Sequence, residues 1–242
     1  MEKPIAVVLL SGGMDSAVTA AIAKDAGYDL AAVFLDYGQR TLIAEKKSFQ
    51  LLCLHYKIKN SLIINCTHFS QIGGSALTDK DIDVPTPGDY EFEQNNPVRI
   101  TDSVEVQNYR APSTYVPFRN ANILAMAVSY AEVIKAQAVA VGAVAEDSSG
   151  YPDTRKEFFK AFEQTIEAGT ALKPPIRIMT PVIDMSKSEI VEKGIELEVP
   201  FQLTHSCYQS NDLPCGRCES CRYRLRGFRQ AGKQDPLEYQ NL

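Results

Sequence analysis

Two textures of apolar and polar residues succeed one another along the chain. Residues 6–10, Ala-Val-Val-Leu-Leu, are an unbroken apolar run, the pattern of a strand covered on both faces. From Met14 the spacing turns helical and alanine-rich, and Gly27 supplies a stop. Residues 30–35 read as a second strand. Residues 41–56 read as a helix with Leu42, Phe49, Leu52 and Cys53 on one side, and 61–64 as a third strand. Strand and helix in alternation predict an α/β protein with a doubly wound parallel sheet.

Residues 73–112 break this texture with many Asp, Asn, Pro and Gly. A stretch of that length without periodicity reads as a lid, a partner contact or, over 85–111, a disordered segment. The pattern resumes after Tyr115-Val-Pro-Phe-Arg-Asn120, where Asn120 suits a helix cap before an apolar face over 123–134. Residues 138–144 read as a strand, 155–168 as a helix and 176–181 as a short strand. Ser186-Lys-Ser-Glu189 is a capping box opening a helix that runs through Leu197 and closes before Pro200. The expected organisation is one α/β unit over 1–200, with an insertion at about 73–112, and a carboxyl-terminal helical segment over 201–242.

The chemistry concentrates first at Ser11-Gly-Gly-Met-Asp-Ser16, between the first strand and the first helix. Gly12 and Gly13 allow a sharp turn and close approach of a ligand. The helix that follows aims its unpaired N–H groups and positive dipole end at that turn, making a cradle for a phosphate. The plainer reading is a tight turn capped by Ser11 or Asp15. A Walker ending and a Gly-x-Gly-x-x-Gly pattern are both absent, which excludes those nucleotide loops. The hexapeptide resembles the SGGxDS signature of the PP-loop ATP pyrophosphatases. Asp36-Tyr-Gly-Gln-Arg40 follows the second strand, at the sheet edge where α/β proteins bind ligands. The loop 146–153, with Glu146, Asp147, Tyr151 and Asp153, is equally dense in hydrogen-bonding groups. Lys187 at a helix start, Arg119 and Arg155 are candidates to meet phosphate or carboxylate oxygens.

The second concentration is Cys207, Cys215, Cys218 and Cys221, spaced C-x7-C-x2-C-x2-C. Four thiolates closing on one ion make a structural site with no open position, which points to Zn²⁺, one per chain. An iron–sulfur cluster or four reduced thiols are the alternatives. Arg217, Arg222 and Arg224 could offset the cluster's charge, and His205 could touch it from outside. Cys53 and Cys66 read as core residues, and His55 and His68 as structural or surface residues.

The 242 residues are 45% hydrophobic with net charge −5, enough for one good core and unlike a nucleic-acid binder, which is more often basic. No run reaches the length of a membrane span, and no signal peptide is expected before the first strand. The six cysteines are therefore expected in a reducing cytoplasm, where clustered cysteines suggest metal rather than disulfides.

Seven further stretches extend the likeness. They are DYGQR (36–40), GGSALT (73–78), YVPFRN (115–120), SGYPDTRKEF (149–158), KSEI (187–190), and SCY (206–208) continuing into PCGRCESCRYR (214–224). Together with the loop they make the chain resemble the 7-cyano-7-deazaguanine synthase family of queuosine biosynthesis over nearly its whole length. Thr154 and Ser148 depart from that pattern, where a Cys and an aromatic residue are expected, and 86–111 is longer than the usual linker.

The resemblance implies an adenine nucleotide alpha hydrolase-like fold and a ligase forming carbon–nitrogen bonds. It would convert 7-carboxy-7-deazaguanine, ammonia and ATP to 7-cyano-7-deazaguanine with AMP and pyrophosphate. It assigns ATP to Leu9, Leu10, Ser11, Gly12, Gly13, Met14, Asp15, Ser16, Ala17, Val18 and Thr19, and zinc to the four cysteines. Mg²⁺ accompanies ATP, and a homodimer is implied. Asp15, Ser16 and Lys187 would serve catalysis; Arg119, Glu146, Asp147, Tyr151, Asp153 and Arg155 would meet the acid. Small molecules are the expected partners, with no direct nucleic acid and no membrane.

A PP-loop tRNA thiolase, adenylating a base before sulfur insertion, is the nearest rival. It would need a basic face, for which only Arg222, Arg224, Arg226 and Arg229 offer material. A zinc-bearing binding module with a vestigial loop is the non-enzymatic reading; an intact Ser11, Asp15, Ser16 and Lys187 argue against it.

Overall fold

The computed structural model describes residues 3–86, 111–145 and 151–240. A parallel sheet of five strands has the order β3-β2-β1-β4-β5. The strands are β1 (Ile5–Leu9), β2 (Asp29–Asp36), β3 (Asn60–Asn65), β4 (Ala138–Ala140) and β5 (Arg177–Met179). Among the described residues, α1 (Met14–Asp25), α2 (Leu42–Tyr56) and α3 (His68–Ile72) precede α4 (Arg119–Val133). Then come α5 (Lys156–Gly169), α6 (Lys187–Glu196) and α7 (Glu219–Gln230).

Period-two alternation in the strands sorts the helices onto two faces. Val8, Leu10, Ala32, Phe34 and Ala140 pack against α1, α2 and α6 and against Phe228 of α7. Val7, Ala31, Val33, Val139 and Val141 pack against α4 and α5. Both faces of the central strands are therefore covered, which is why these strands read as continuous apolar runs.

The chain leaves β1 for β2 on one side and returns to β4 on the other. A crevice opens at the carboxyl ends of β1 and β4, the switch point where such sheets bind ligands.

Two boundaries differ from expectation. β4 ends at Ala140 rather than at Val144: Val141 still donates to the Met179 carbonyl at 2.8 Å, but residues 141–144 line a cavity. Asn120 does not cap α4. The helix begins at Arg119 after Phe118, which takes a left-handed conformation with φ 56°. Asn120 is engaged instead by Asp153: its backbone N–H donates to Oδ2 at 3.0 Å and its side chain to the carbonyl at 3.1 Å. Asp153 lies in the short turn Pro152–Thr154, so the pair fixes the start of α4 against it.

The carboxyl-terminal segment is welded to the sheet layer by a buried arginine. Arg224, 2% exposed, grips both oxygens of Asp235 at 2.7 and 2.9 Å and donates to Thr204 Oγ1 and the Phe201 carbonyl. It is thus not part of a basic surface, and the face expected over 222–229 loses its central charge. No helix among the described residues is long and apolar enough to cross a membrane.

Candidate active site

Ser11-Gly12-Gly13 turns from β1 into α1 with Gly12 at φ +87°. A side chain there would meet the Glu45 carbonyl at 2.6 Å and Ser48 Cβ at 3.0 Å. Glycine is required on both counts, conformation and space. Neither Ser11 nor Asp15 caps the helix: Gly13 holds the N-cap position, and no side chain accepts its first-turn N–H groups. Ser11 Oγ instead accepts from the Gly13 N–H at 3.3 Å and donates to Ser16 Oγ at 3.2 Å; Ser16 Oγ in turn donates to the Gly13 carbonyl at 2.9 Å. The turn is held by its own side chains, and the helix end is left for an anion.

Gly142 makes a second close approach. A Cβ there would lie 2.9 Å from the Ser16 amide nitrogen and 3.0 Å from the Asp15 carbonyl. Both are backbone atoms, which cannot swing aside. Gly142→Ala is therefore expected to push the loop out of place, raising the ATP dissociation constant and destabilising the fold by about 1–3 kcal/mol. Unchanged ATP affinity by calorimetry would show that the strand end tolerates the methyl group.

Lys187 is 4% exposed at the first position of α6, and its Nζ lies 2.7 Å from Asp15 Oδ2. The capping box of Ser186 and Glu189 sets that helix start. Gly227 of α7 lets the neighbouring helix press on the Lys187 backbone, where a Cβ would sit 2.9 Å from its carbonyl. The other Asp15 oxygen, Oδ1, is buried with no hydrogen-bond partner. A carboxylate oxygen so placed beside an anion cradle suits a hard divalent cation of the Mg²⁺ kind.

The opposite wall grows from the loop after β2. Gln39 receives the Tyr37 N–H on its side-chain oxygen at 2.9 Å and donates to the Leu35 carbonyl and to Glu45 Oε2. Thr41 Oγ1 donates to Glu45 Oε1 at 2.6 Å. Arg40 reaches the carbonyls of Ala76, Asp79 and Ile82 at 2.6–2.7 Å, holding the following segment over the sheet edge. Arg119 donates to the Tyr37 hydroxyl at 3.0 Å with its guanidinium 5.1 Å over the Tyr37 ring. Burial pushes the Tyr37 phenol far above its ordinary value, so it stays protonated. Tyr151 pairs its hydroxyl with Thr114 Oγ1 at 2.6 Å.

The cavity between these walls has a volume of about 290 Å³, the scale of a small-molecule site. Leu9, Ser11, Gly13, Met14, Asp15, Ser16, Arg119, Tyr151 and Lys187 all line it. Leu10, Ala17, Val18 and Thr19 are fully buried behind the loop as its frame. Asp153, also buried, acts through Asn120, and Arg155 is an exposed residue at the N-cap of α5. Glu146, Asp147 and Ser148 lie outside the described residues. Gly142, Glu45 and Tyr208 are lining residues that sequence reasoning did not assign. For Gly142 the signal was available: a single glycine interrupting the apolar run 138–144.

The four cysteines converge. Their sulfur atoms lie within 4.8 Å of one another, and all four residues are buried. Cys207 Sγ accepts the backbone N–H groups of Gln209, Ser210 and Cys215 at 3.3–3.4 Å. Hydrogen bonds from the Cys218 and Cys221 thiols, and from the Cys215 and Gln209 N–H groups, hold Cys207 well below the usual thiol range, and donation to Cys207 pushes Cys218 up to about 12. Four buried sulfurs this close together suit a soft or borderline metal ion. The knuckle also serves the cavity: His205 donates its N–H to the Gly12 carbonyl at 2.8 Å, and Tyr208 donates to Cys218 Sγ at 3.5 Å. Cys66 is core, Cys53 packs at its margin, and His55 and His68 are exposed.

A Ser-Gly-Gly turn into an uncapped helix at the switch point of a parallel sheet, facing a lysine–aspartate pair and backed by four converging cysteines, is the architecture of a PP-loop protein. The family model described as Queuosine biosynthesis protein QueC matches residues 5–232, and the chain belongs to that family. Curated relatives named 7-cyano-7-deazaguanine synthase share 48% identity in Chlorobium chlorochromatii, over 97% of this chain and 96% of the relative. The one in Chloroherpeton thalassium shares 51% over the same proportions, and that in Methanoculleus marisnigri shares 46% over 97% and 98%. Among solved structures, a U34-tRNA thiolase from Methanococcus maripaludis aligns with TM-score 0.47 at 13% identity, covering 94% of this chain and 65% of that one. The fold assignment rests on the sheet order and the loop.

Proposed function

We propose that this chain converts 7-carboxy-7-deazaguanine and ammonia to 7-cyano-7-deazaguanine at the expense of ATP. The family membership and the buried Lys187–Asp15 pair facing an uncapped α1 are the observations that carry this reading. A carboxylate is a poor electrophile: its charge repels a nucleophile and oxide is a bad leaving group. Transfer of AMP to the carboxylate oxygen, with pyrophosphate leaving, removes both obstacles. Ammonia then displaces AMP to give the amide. A second adenylation, on the amide oxygen, followed by departure of AMP and loss of two protons gives the nitrile.

Ser11, Gly12, Gly13, Ser16 and the α1 amides receive the departing pyrophosphate, where charge grows. Lys187 neutralises it. Asp15 is the residue to hold Mg²⁺, which when bound shields the phosphate oxygens. Holding acid and α-phosphorus in line is worth roughly 7–11 kcal/mol, and Arg119, Tyr151 and the loop 146–153, with Asp153 bracing Asn120, are the groups proposed to hold the acid. Zinc on Cys207, Cys215, Cys218 and Cys221 is a proposed structural element. The chain is proposed to work in the cytoplasm as a homodimer.

The test is mass analysis of products from ATP, ammonium and 7-carboxy-7-deazaguanine. Nitrile with AMP and pyrophosphate is the expected result; sulfur insertion into tRNA, or no acid-dependent pyrophosphate, would replace this reading.

A further inference from the structure

Arg119 donates to the Tyr37 hydroxyl, and Glu45 acts electrostatically on both residues. The cavity wall thus groups a cation, a carboxylate and one tyrosine. The carboxylate is held in a fixed orientation. Thr41 Oγ1 donates to one oxygen at 2.6 Å and Gln39 Nε2 to the other at 2.9 Å. Gln39 is itself anchored to the Leu35 carbonyl at 3.1 Å. A carboxylate offers about four acceptor positions, and these two contacts use one on each oxygen. Burial opposes its ionisation, while the two donors and Arg119 favour it.

Three acidic residues line the described cavity: Asp15, Glu45 and Glu219. Asp15 is engaged with Lys187 at the phosphate cradle. Glu219 opens α7 beside the cysteine knuckle, and it has an interaction of its own. Glu45 stands on the wall shared with Tyr37 and Arg119; its backbone carbonyl packs against Gly12, while its carboxylate is held by Thr41 and Gln39.

We infer that Glu45 is a specificity-determining residue that reads the paired N–H donors of the substrate's 2-aminopyrimidinone edge. This rests on the function proposed above and names the contact it lacks. The ring N–H and the exocyclic amino group of a guanine-like heterocycle form a two-donor edge, which a carboxylate matches oxygen for hydrogen. Adenine offers one amino donor beside a ring lone pair, and that lone pair faces a carboxylate unfavourably. Glu45 therefore selects the acid and leaves ATP's base to other contacts. Thr41 and Gln39 supply the rigidity that makes the selection sharp.

The experiment pairs Glu45→Gln with an analogue of 7-carboxy-7-deazaguanine lacking the 2-amino group. In the wild type the analogue should raise KM by about tenfold to a hundredfold, the range for a hydrogen bond to a charged group. Glu45→Gln should raise KM for the full acid comparably, leave KM for ATP within about twofold, and no longer distinguish the two acids. A Glu45 that only braces its loop predicts otherwise: the variant would lose activity yet keep the wild-type ratio between the acids, and that result overturns the inference. So does a change confined to the KM for ATP. Should Glu45→Gln fail to fold, Glu45→Asp, which keeps the charge, gives the same comparison: a changed acid-to-analogue ratio supports the assignment, and an unchanged ratio refutes it. If the wild type itself releases no pyrophosphate with the acid, the fault lies with the proposed function and not with Glu45.

Discussion

Asp15→Asn is expected to lower acid-dependent pyrophosphate release by about a hundredfold to a thousandfold, the size of loss seen when one preorganised electrostatic contact to a transition state is removed. The amide keeps the volume of the carboxylate but takes away the charge 2.7 Å from Lys187 Nζ and turns one of the two oxygens into an NH2 group, which cannot ligate a cation. A second consequence follows from burial. Lys187 is 4% exposed, and breaking a buried ion pair costs about 3–5 kcal/mol. Asp15 is 27% exposed on its side chain, so water moderates the loss toward the lower figure. In a chain of this size that lowers the melting temperature by roughly 5–10 °C. Asp15 therefore serves chemistry and fold together, and alanine at this position would confuse the two.

Ser16→Ala separates them. It removes a hydroxyl that bonds Ser11 and the Gly13 carbonyl while leaving the ion pair in place. Its expected signature is a comparable fall in pyrophosphate release with a nearly unchanged melting temperature. Asp15→Asn retaining turnover within threefold of the wild type would remove the cradle from the mechanism.

The central strands and the glycine turn into α1 were legible in the sequence because each obeys a local rule. A doubly covered strand must be apolar throughout, and the glycine turn must precede a helix start. The capping box at Ser186 was legible for the same reason and is present with both reciprocal bonds. What stayed hidden depends on distant partners. Nothing near Asn120 announces that Asp153 claims it. Arg224 sits among arginines that suggest a basic face, yet its fate is decided by Asp235 and Thr204. Lys187 looks like a surface lysine until Gly227 brings α7 against it and Asp15 reaches it across 172 positions of sequence. The cysteine spacing announced a four-sulfur cluster but not its second duty, because the bond from His205 to Gly12 joins two motifs far apart in the chain.

That second duty makes Cys218→Ala the other substitution of large effect. Cys218 is fully buried, holds the N-cap of α7, accepts from Tyr208 and donates its N–H to Cys215 Sγ at 3.2 Å. With three ligands the ion is expected to be lost, and a structural zinc site supplies on the order of 10 kcal/mol to the segment it orders. The cysteines are also the packing surface for Ala76, Val84 and Ile82, so the segment clamped by Arg40 should loosen with them. Elemental analysis should find one zinc per wild-type chain and none in the variant, with poor soluble yield and faster proteolysis around residues 73–86 and 204–216. A brown wild-type protein carrying iron would replace zinc with a cluster and revive the thiolase reading. Because His205 and Tyr208 connect the knuckle to the cavity, any soluble fraction should bind ATP more weakly than the wild type, though no cysteine touches the cradle. A soluble, metal-free Cys218→Ala protein with full activity would show instead that the knuckle is dispensable and that the cavity's roof is held by α7 and Arg224 alone.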